Sequence, residues 1–236
     1  MHTPDAAMSR LARLALTYSF ERIHMDPPPL DAPMSYDEMH QRVGRTITPN
    51  GIGGEALRLF MDVLAPACIS VDHPTFLSFV PGAPTEASVI FDMVVSASGI
   101  YTGSWLEGAG AVYAENEALR WIADLAEFPA SAGGAFVSGG TAGNLSALIA
   151  ARHRWRERAE GRADRLRGLV VASEGAHSSV KQAARAMDAD VVAVEADANG
   201  RLVGERLRAA IDALPTDDRA RVFAVVATGG TTNLGV

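Results

Sequence analysis

The chain has 236 residues, of which 48% are hydrophobic and 21% charged, and these values fit one ordinary globular domain or most of a larger one. The net charge of -7 argues against a nucleic-acid or anionic-membrane surface, because both need clustered lysine and arginine, and it favours a small-molecule partner. The single cysteine, Cys68, excludes an intrachain disulfide and a cysteine-based metal cluster, and it suits a cytoplasmic protein.

The N-terminal third is predicted to be helical. Three helices are predicted, over residues 5–24, 35–47 and 55–65. The first lacks the continuous apolar stretch of a signal peptide or membrane span. Four prolines between residues 26 and 33 forbid a helix there and favour an extended connector, and Ser35 followed by Glu38 is a capping-box pattern. Residues 1–72 are therefore predicted to form an α-helical arm or, equally, a packed helical subdomain.

Residues 73–236 are predicted to form the first part of a larger α/β domain. Two helices are predicted over residues 85–98 and 109–127. Strands are then predicted at 135–137, 169–173, 190–195 and 222–227, with helices between them at 142–159, 178–187 and 203–213. Short β-branched runs separated by helices indicate βαβ units and a mostly parallel sheet, whose ligands bind beyond the carboxyl ends of the strands.

The segment 138–143, SGGTAG, lies where a predicted strand gives way to a helix. Free backbone N–H groups and the helix dipole make such a junction suitable for an anion, and glycine lets the backbone approach the ligand closely. The segment matches neither GxxxxGK[ST] nor GxGxxG, so a Walker-type nucleotide site is not indicated. Taken alone, it is equally compatible with a tight turn in which Thr141 merely caps the helix.

Two further polar loops follow predicted strands. The loop 173–181, SEGAHSSVK, opens a helix, so His177 is expected to emerge at the same sheet edge as Thr141. The loop 227–233, ATGGTTN, brings three threonines to that edge: Thr228, Thr231 and Thr232. The expected convergence of three polar loops favours the anion site over the simple cap.

Five motifs resemble, in their order, the pyridoxal-phosphate-dependent group II decarboxylases, the aromatic-L-amino-acid and glutamate decarboxylase family. They read HPTFLSFVPGAPT, GSWLEGAGAVYAENEALRWIADL, VSGGTAGNL, SEGAHSSV and ATGGTTN, and the likeness extends from about His73 to Val236. The resemblance implies the type I (aspartate-aminotransferase-like) fold, pyridoxal 5'-phosphate as cofactor and a homodimer. It also implies a carboxy-lyase that converts an L-amino acid, with an aromatic one favoured, to the amine and CO2.

The resemblance also implies roles for individual residues. Six are implied to bind the cofactor: Gly140, Thr141, Ala142, His177, Thr228 and Thr232. Among these, Gly140 and Thr141 match the pair that holds the phosphate, and Thr232 matches a threonine near the ring. His177 is also implied to be catalytic, because it matches the histidine that stacks on the pyridine ring near the substrate carboxylate. Gly82 and Trp105 are implied to lie on the substrate side.

Two functional residues of the family have no match in this chain. The aspartate that pairs with the pyridine nitrogen and the lysine that forms the resting Schiff base both fall beyond residue 236. Lys181, the only lysine, lies one helical turn after His177, but its position does not match the Schiff-base lysine and a solvated helix lysine is the ordinary interpretation. We therefore expect a truncated large domain with negligible decarboxylation by these 236 residues alone.

Two alternatives stay open beside the decarboxylase. Another type I fold enzyme that forms an aldehyde or cleaves a carbon–carbon bond would reuse the same phosphate site and histidine. A catalytically inactive binding or assembly protein would keep the sheet without the lysine. No metal site is predicted, because the remaining histidines lack partners at metal-ligand spacing.

Overall fold

The computed structural model describes residues 5–30, 33–159 and 166–236. The chain divides into two compact units, Met1–Ala111 and Val112–Val236, and the boundary between them falls inside one helix. The predicted domain boundary between residues 72 and 73 stays a prediction. Within the three described ranges, no helix combines the length and the apolar character needed to cross a membrane.

The described part of the unit Met1–Ala111 has helices at the four places where the sequence predicts them, near residues 5–24, 35–47, 55–65 and 85–98. Its described helices are α1 (Ala6–Ile23), α2 (Tyr36–Val43), α3 (Glu55–Leu59), a π-helical turn (Phe60–Leu64) and α4 (Glu86–Ser98). The predicted capping box of α2 is confirmed, since the Glu38 backbone N–H donates to Ser35 Oγ at 3.3 Å and the Ser35 N–H donates to the Glu38 carboxylate at 2.9 Å. This helix ends earlier than predicted, because Gly44 adopts a φ of 62°.

A bidentate ion pair joins α1 to the segment that follows the π-helical turn. The Arg22 guanidinium donates two hydrogen bonds to the Asp72 carboxylate, at 2.9 and 2.7 Å. These hydrogen bonds hold the pKa of Asp72 below its ordinary value. Beside the pair, Tyr18 packs edge-on against Phe60 with ring centroids 5.9 Å apart. Helix α1 is therefore held by both a charged and an aromatic contact.

Helix α5 (Trp105–Leu125) starts four residues before its predicted start and passes through a distortion at Gly108. Gly108 is buried, with φ of -121° and ψ of 22°. A Cβ at this position would lie 2.5 Å from the carbonyl oxygen of Tyr101, so glycine permits the close approach of the two backbones. The sequence pattern did not reveal that the helix continues across this kink.

The run 135–137, predicted as a strand, belongs to none of the strands in the described structure, and this prediction is wrong. Phe136 and Val137 are 57% and 45% exposed. A short apolar run forms a strand only where a neighbouring strand accepts and donates its backbone hydrogen bonds, and none of the three described strands pairs with it. The run leads directly into α6 (Gly140–Arg158).

The unit Val112–Val236 contains a parallel sheet. Its described strands are β1 (Leu169–Ser173), β2 (Asp190–Val194) and β3 (Val222–Val226), in the order β2-β1-β3, and the helices between them are α7 (Ser178–Ala186), α8 (Gly204–Asp212) and α9 (Thr216–Ala220). The central strand pairs in parallel with both neighbours. These three predicted strands and the parallel sheet are confirmed, whereas the short α9 was not predicted.

The core of this unit lies on both faces of β1, whose five residues are all buried. On one face, Val170 and Ala172 pack against Leu148 of α6 and Val180 of α7. On the other face, Leu169 and Val171 pack with Val194, and four side chains from α8 and the turn after it cover that cluster: Leu207, Ala210, Ile211 and Leu214. Alternate residues of one strand thus hold helices on opposite faces, which is the layered arrangement of an α/β fold.

Candidate functional site

The carboxyl edge of the sheet gathers the loops that the sequence identified. Because the strands are parallel, the loop after β1 and the loop after β3 emerge at the same edge. A Cβ built at Gly175, in the first of these loops, would lie 3.5 Å from Thr231 Cγ2, in the second. The two loops therefore lie side by side, with room at Gly175 for little more than a Cβ before Thr231 is reached.

The amino end of α6 has no side-chain cap. Its N-cap residue is Gly139, with φ of 146° and ψ of 169°, and no side chain in the described structure bonds to the first-turn N–H groups as a cap. Thr141 lies inside the first turn and is exposed, so the interpretation in which Thr141 caps this helix is wrong. A Cβ at Gly139 or Gly140 would meet nothing within 4 Å. The first turn thus presents main-chain donors to open space, as an anion site requires.

His177 is the N-cap residue of α7 and is exposed. Its Nδ1 accepts a hydrogen bond from the Ser179 backbone N–H at 3.2 Å, and the Ser179 hydroxyl lies 2.9 Å from the same nitrogen. A cap of this kind ties one side of the imidazole to the helix. For Nε2, on the opposite edge of the ring, there is no hydrogen-bond partner among the residues that the structure describes.

A side-chain hydrogen bond joins the starts of α6 and α7. Asn144 Nδ2 donates to Ser179 Oγ at 2.8 Å, and Ser179 is completely buried. This bond brings the glycine-rich turn and His177 together, as the sequence predicted. Neither Asn144 nor Ser179 was predicted to be a site residue. The sequence offers one indication of them. Asn144 lies one helical turn after Gly140 and Ser179 lies two residues after His177, and both are polar where helix packing usually places apolar side chains.

The loop after β3 closes on itself. The Thr231 backbone N–H donates to the Val236 carbonyl at 2.9 Å, and the Gly235 N–H donates to the Thr231 carbonyl at 2.8 Å. Thr228 is half-buried and Thr232 is exposed. The Thr231 hydroxyl oxygen is buried and has no hydrogen-bond partner among the described residues, which is an unusual state for a buried hydroxyl.

The loop after β2 borders the same edge. The Ala196 backbone N–H donates to the Glu174 carboxylate at 3.2 Å, which links this loop to the one after β1. Farther along, the Arg201 and Asn199 backbone N–H groups donate to Asp197 at 2.8 and 2.9 Å. These bonds hold the pKa of Asp197 below its ordinary value, and the bond from the Arg201 N–H has the largest effect. The loop is therefore fixed by an ionised carboxylate.

Three other residues that the sequence singled out do not belong to the loops described above. Gly82 and Trp105 belong to the unit Met1–Ala111, where a Cβ at Gly82 would meet nothing within 4 Å and Trp105 is 60% exposed. Their substrate-side roles stay predictions. Lys181 is exposed on α7 and lines a hollow with Arg185, Arg167 and Asp190. The same hollow is lined by Val191 and Ala193 of β2, so it extends along that strand.

Comparison with known proteins shows the family. Residues 56–236 match the family model described as the pyridoxal-dependent decarboxylase conserved domain. The aromatic-L-amino-acid decarboxylase of Bacillus atrophaeus is 32% identical over 222 residues, which cover 90% of this chain and 44% of that protein. The L-2,4-diaminobutyrate decarboxylase of Rhizobium meliloti (strain 1021) is 36% identical over 169 residues, which cover 70% of this chain and 33% of that protein.

A solved structure shares the fold. The crystal structure of Oryza sativa TDC with PLP and tryptamine superposes with a TM-score of 0.84 at 20% identity, covering 98% of this chain and 51% of that one. The predicted fold class, a type I pyridoxal-phosphate-dependent fold, is thereby confirmed, and so is pyridoxal 5'-phosphate as the cofactor of the family. The chain spans less than half the length of the two curated relatives. It belongs to the pyridoxal-dependent decarboxylase family.

Proposed function

We propose that this chain carries the phosphate- and ring-binding part of a pyridoxal-phosphate-dependent decarboxylase that acts on an L-amino acid. One observation carries the proposal: the uncapped amino end of α6, His177 and the threonine-rich loop after β3 meet at one sheet edge. The matched family model and the two decarboxylase relatives support the reaction class.

The cofactor phosphate is proposed to bind at the first turn of α6. The N–H groups of Gly140, Thr141 and Ala142 point along the helix axis toward its amino end, where no side chain in the described residues caps them. The open space at Gly139 and Gly140 admits a bulky anion close to the backbone. Main-chain donors at the positive end of a helix dipole are well suited to a phosphate dianion. The residues present therefore fit this part of the cofactor.

The pyridine ring is proposed to stack on His177, with Thr232 and Thr228 near it. The buried and unpartnered Thr231 hydroxyl in the same loop supports a polar ligand at this edge, because such a ligand would satisfy it. When bound, pyridoxal phosphate supplies an electron-withdrawing ring that takes up the electron pair left at Cα as CO2 departs. The chain itself anchors the phosphate, fixes the plane of the ring and keeps His177 beside the departing carboxylate.

An aromatic amino acid is proposed as the substrate, with Gly82 and Trp105 on the substrate side. Support comes from the Bacillus relative, an aromatic-L-amino-acid decarboxylase whose likeness covers 90% of the chain. The Rhizobium relative is named as an L-2,4-diaminobutyrate decarboxylase, so that amino acid is included in the test. The test incubates the full-length polypeptide that contains these residues with L-tryptophan, L-tyrosine or L-2,4-diaminobutyrate and identifies the product. Formation of the aromatic amine supports the proposal, the diamine contradicts the aromatic choice, and an aldehyde indicates the related synthase.

A homodimer and a cytoplasmic location are part of this proposal. An exposed, unpaired Cys68 is compatible with a reducing compartment. Exposed apolar side chains on α1 and α4, among them Phe20 and Met93, are compatible with a surface covered by another subunit. Sedimentation equilibrium of the full-length polypeptide tests the dimer, and a monomer at micromolar concentration would contradict it.

The phosphate site is tested by Gly140→Ala. The new Cβ meets no atom of the chain, so we expect unchanged or slightly higher stability together with at least about tenfold weaker binding of pyridoxal 5'-phosphate. The measurement is a fluorescence titration of the chain, with pyridoxal as the ligand that lacks the phosphate. Gly133→Ala is the control, because a Cβ at that position also meets nothing within 4 Å. Equal affinities of wild type and Gly140→Ala would exclude the site.

A further inference from the structure

Asn144 and Ser179 form a hydrogen-bonded connection that ends on His177. Asn144 Nδ2 lies 2.8 Å from Ser179 Oγ, which lies 2.9 Å from His177 Nδ1. Ser179 is 0% exposed, Asn144 is half-buried and His177 is exposed. A polar path therefore runs from the interior, between α6 and α7, to the imidazole at the sheet edge.

Two groups that can donate but not accept set the direction of these hydrogen bonds: the Ser179 backbone N–H and the Asn144 side-chain NH2. The Ser179 backbone N–H, 3.2 Å from His177 Nδ1, cannot accept, so Nδ1 is the acceptor. The Asn144 amide donates to Ser179 Oγ, which leaves the hydroxyl proton free to point at Nδ1. With two donors directed at Nδ1, the proton of the neutral ring is on Nε2.

We propose that Asn144 and Ser179 are positioning residues that hold His177 in the Nε2–H tautomer. This inference rests on the proposed function, in which His177 faces the cofactor and the substrate carboxylate. An exposed imidazole without such partners flips and populates both tautomers. A fixed Nε2–H presents one hydrogen-bond donor in one place, which is complementary to the carboxylate of an amino acid and orients it.

The variant Asn144→Asp tests the direction of the relay. The substituted carboxylate can only accept, so it draws the Ser179 hydroxyl proton toward itself and turns an oxygen lone pair toward His177 Nδ1. We expect the ratio of the Nε2–H to the Nδ1–H form to fall by about tenfold, the effect of about one hydrogen bond. Ser179→Ala removes the hydroxyl and is expected to lower the ratio less, because the backbone N–H still donates to Nδ1.

The measurement is a long-range proton–nitrogen NMR spectrum of the labelled chain without cofactor, at about pH 8, where an ordinary imidazole is neutral. His177→Gln identifies the resonances of His177 among the six histidines. Ser178→Ala is the matched control, since Ser178 is exposed and its hydroxyl makes no hydrogen bond within the described part of the chain. It is expected to leave the tautomer ratio unchanged.

The proposal is overturned if Asn144→Asp leaves the ratio at its wild-type value while thermal unfolding shows a folded protein. If Asn144→Asp does not fold, Ser179→Ala is compared with Ser179→Thr. Threonine keeps a hydroxyl at this position, so the tautomer ratio of Ser179→Thr must be that of the wild type, and a ratio equal to that of Ser179→Ala would overturn the proposal. Since the spectrum needs no cofactor, failure of pyridoxal phosphate to bind would contradict the proposed function without changing this result.

Discussion

Gly139 shows how a single residue serves the candidate site. Its φ of 146° lies in a region that is essentially restricted to glycine, and it turns the chain into the first turn of α6. A side chain at this position would strain the backbone even though the space around it is empty. Glycine at position 139 is therefore required for the backbone conformation of the turn. Glycine at position 140 instead leaves space for a ligand beside the first turn of α6.

Gly139→Ala is accordingly expected to lower the free energy of unfolding of the unit Val112–Val236 by about 1–3 kcal/mol, the cost of a strained backbone conformation. The measurement is urea unfolding followed by circular dichroism. Gly133→Ala is the control, because Gly133 has no positive φ and its Cβ would meet no atom within 4 Å. Equal losses for the two variants would show that the turn does not depend on the conformation of Gly139.

At the residue scale, the sequence located the candidate site but not the contacts within it. Glycine, histidine and threonine at strand ends predicted which loops meet, since parallel strands end at one edge. The helix-cap role considered for Thr141 is wrong, whereas His177 is observed to cap α7. The contact between Asn144 and Ser179 depends on how α6 packs on α7, and single-helix patterns do not contain that information.

The elements most accurately predicted are those whose pattern is local. Strand β1 is observed at its predicted bounds and α7 within one residue, because a short buried run and an N-terminal cap each follow from neighbouring residues. The prediction of a strand at 135–137 was wrong, since a strand needs a pairing strand from another part of the chain and none of the three described strands pairs with this run. Helix α9 was missed because it is only five residues long, although Pro215 precedes it and Asp217 and Asp218 occupy its first turn.

Among the elements, the attachment of α1 depends on charge. The folded pKa of Asp72 lies below its ordinary value of 3.8, so ionised Asp72 stabilises the folded unit at neutral pH. That contribution is complete above the ordinary pKa and is lost as the pH falls through the lower folded pKa. Asp72→Asn is expected to lower stability by up to about 1 kcal/mol at neutral pH, the upper range for a partly exposed pair.

The measurement is thermal unfolding of wild type and Asp72→Asn between about pH 7 and about pH 2. The difference in stability between the two proteins is expected to shrink below about pH 4 and to vanish at the acid end. Asp92→Asn is the control, because Asp92 is exposed and forms no ion pair within the described residues. A difference that persists unchanged in acid would mean that Asp72 acts through packing.

At the scale of the whole molecule, Lys181 lines a hollow whose lining contains none of the candidate-site residues. Pyridoxal phosphate forms imines with accessible amines, and borohydride reduces them to stable adducts that mass spectrometry detects. We expect reduction to give no phosphate-dependent adduct on Lys181, since this side chain lies toward Arg167 and Asp190. Peptide mapping separates Lys181, the only lysine, from the terminal amine.

Two comparisons control this experiment. Pyridoxal, which lacks the phosphate, measures unspecific reaction, and Lys181→Arg removes the amine while keeping a positive charge at the position. One adduct per chain on Lys181 that forms with pyridoxal phosphate but not with pyridoxal would contradict the expectation. It would make Lys181 a substitute for the family's Schiff-base lysine.

The order of the strands has a consequence for synthesis on the ribosome. The central strand, β1, leaves the ribosome before both of its neighbours, and β2, which pairs with it through the whole length from Leu169 to Ser173, follows after a single helix. Chains begin to fold from the amino end during translation, so β1 is already available for pairing when β2 and β3 leave the ribosome. The three described strands can therefore pair outward from β1, with β2 added after one helix and β3 after two more.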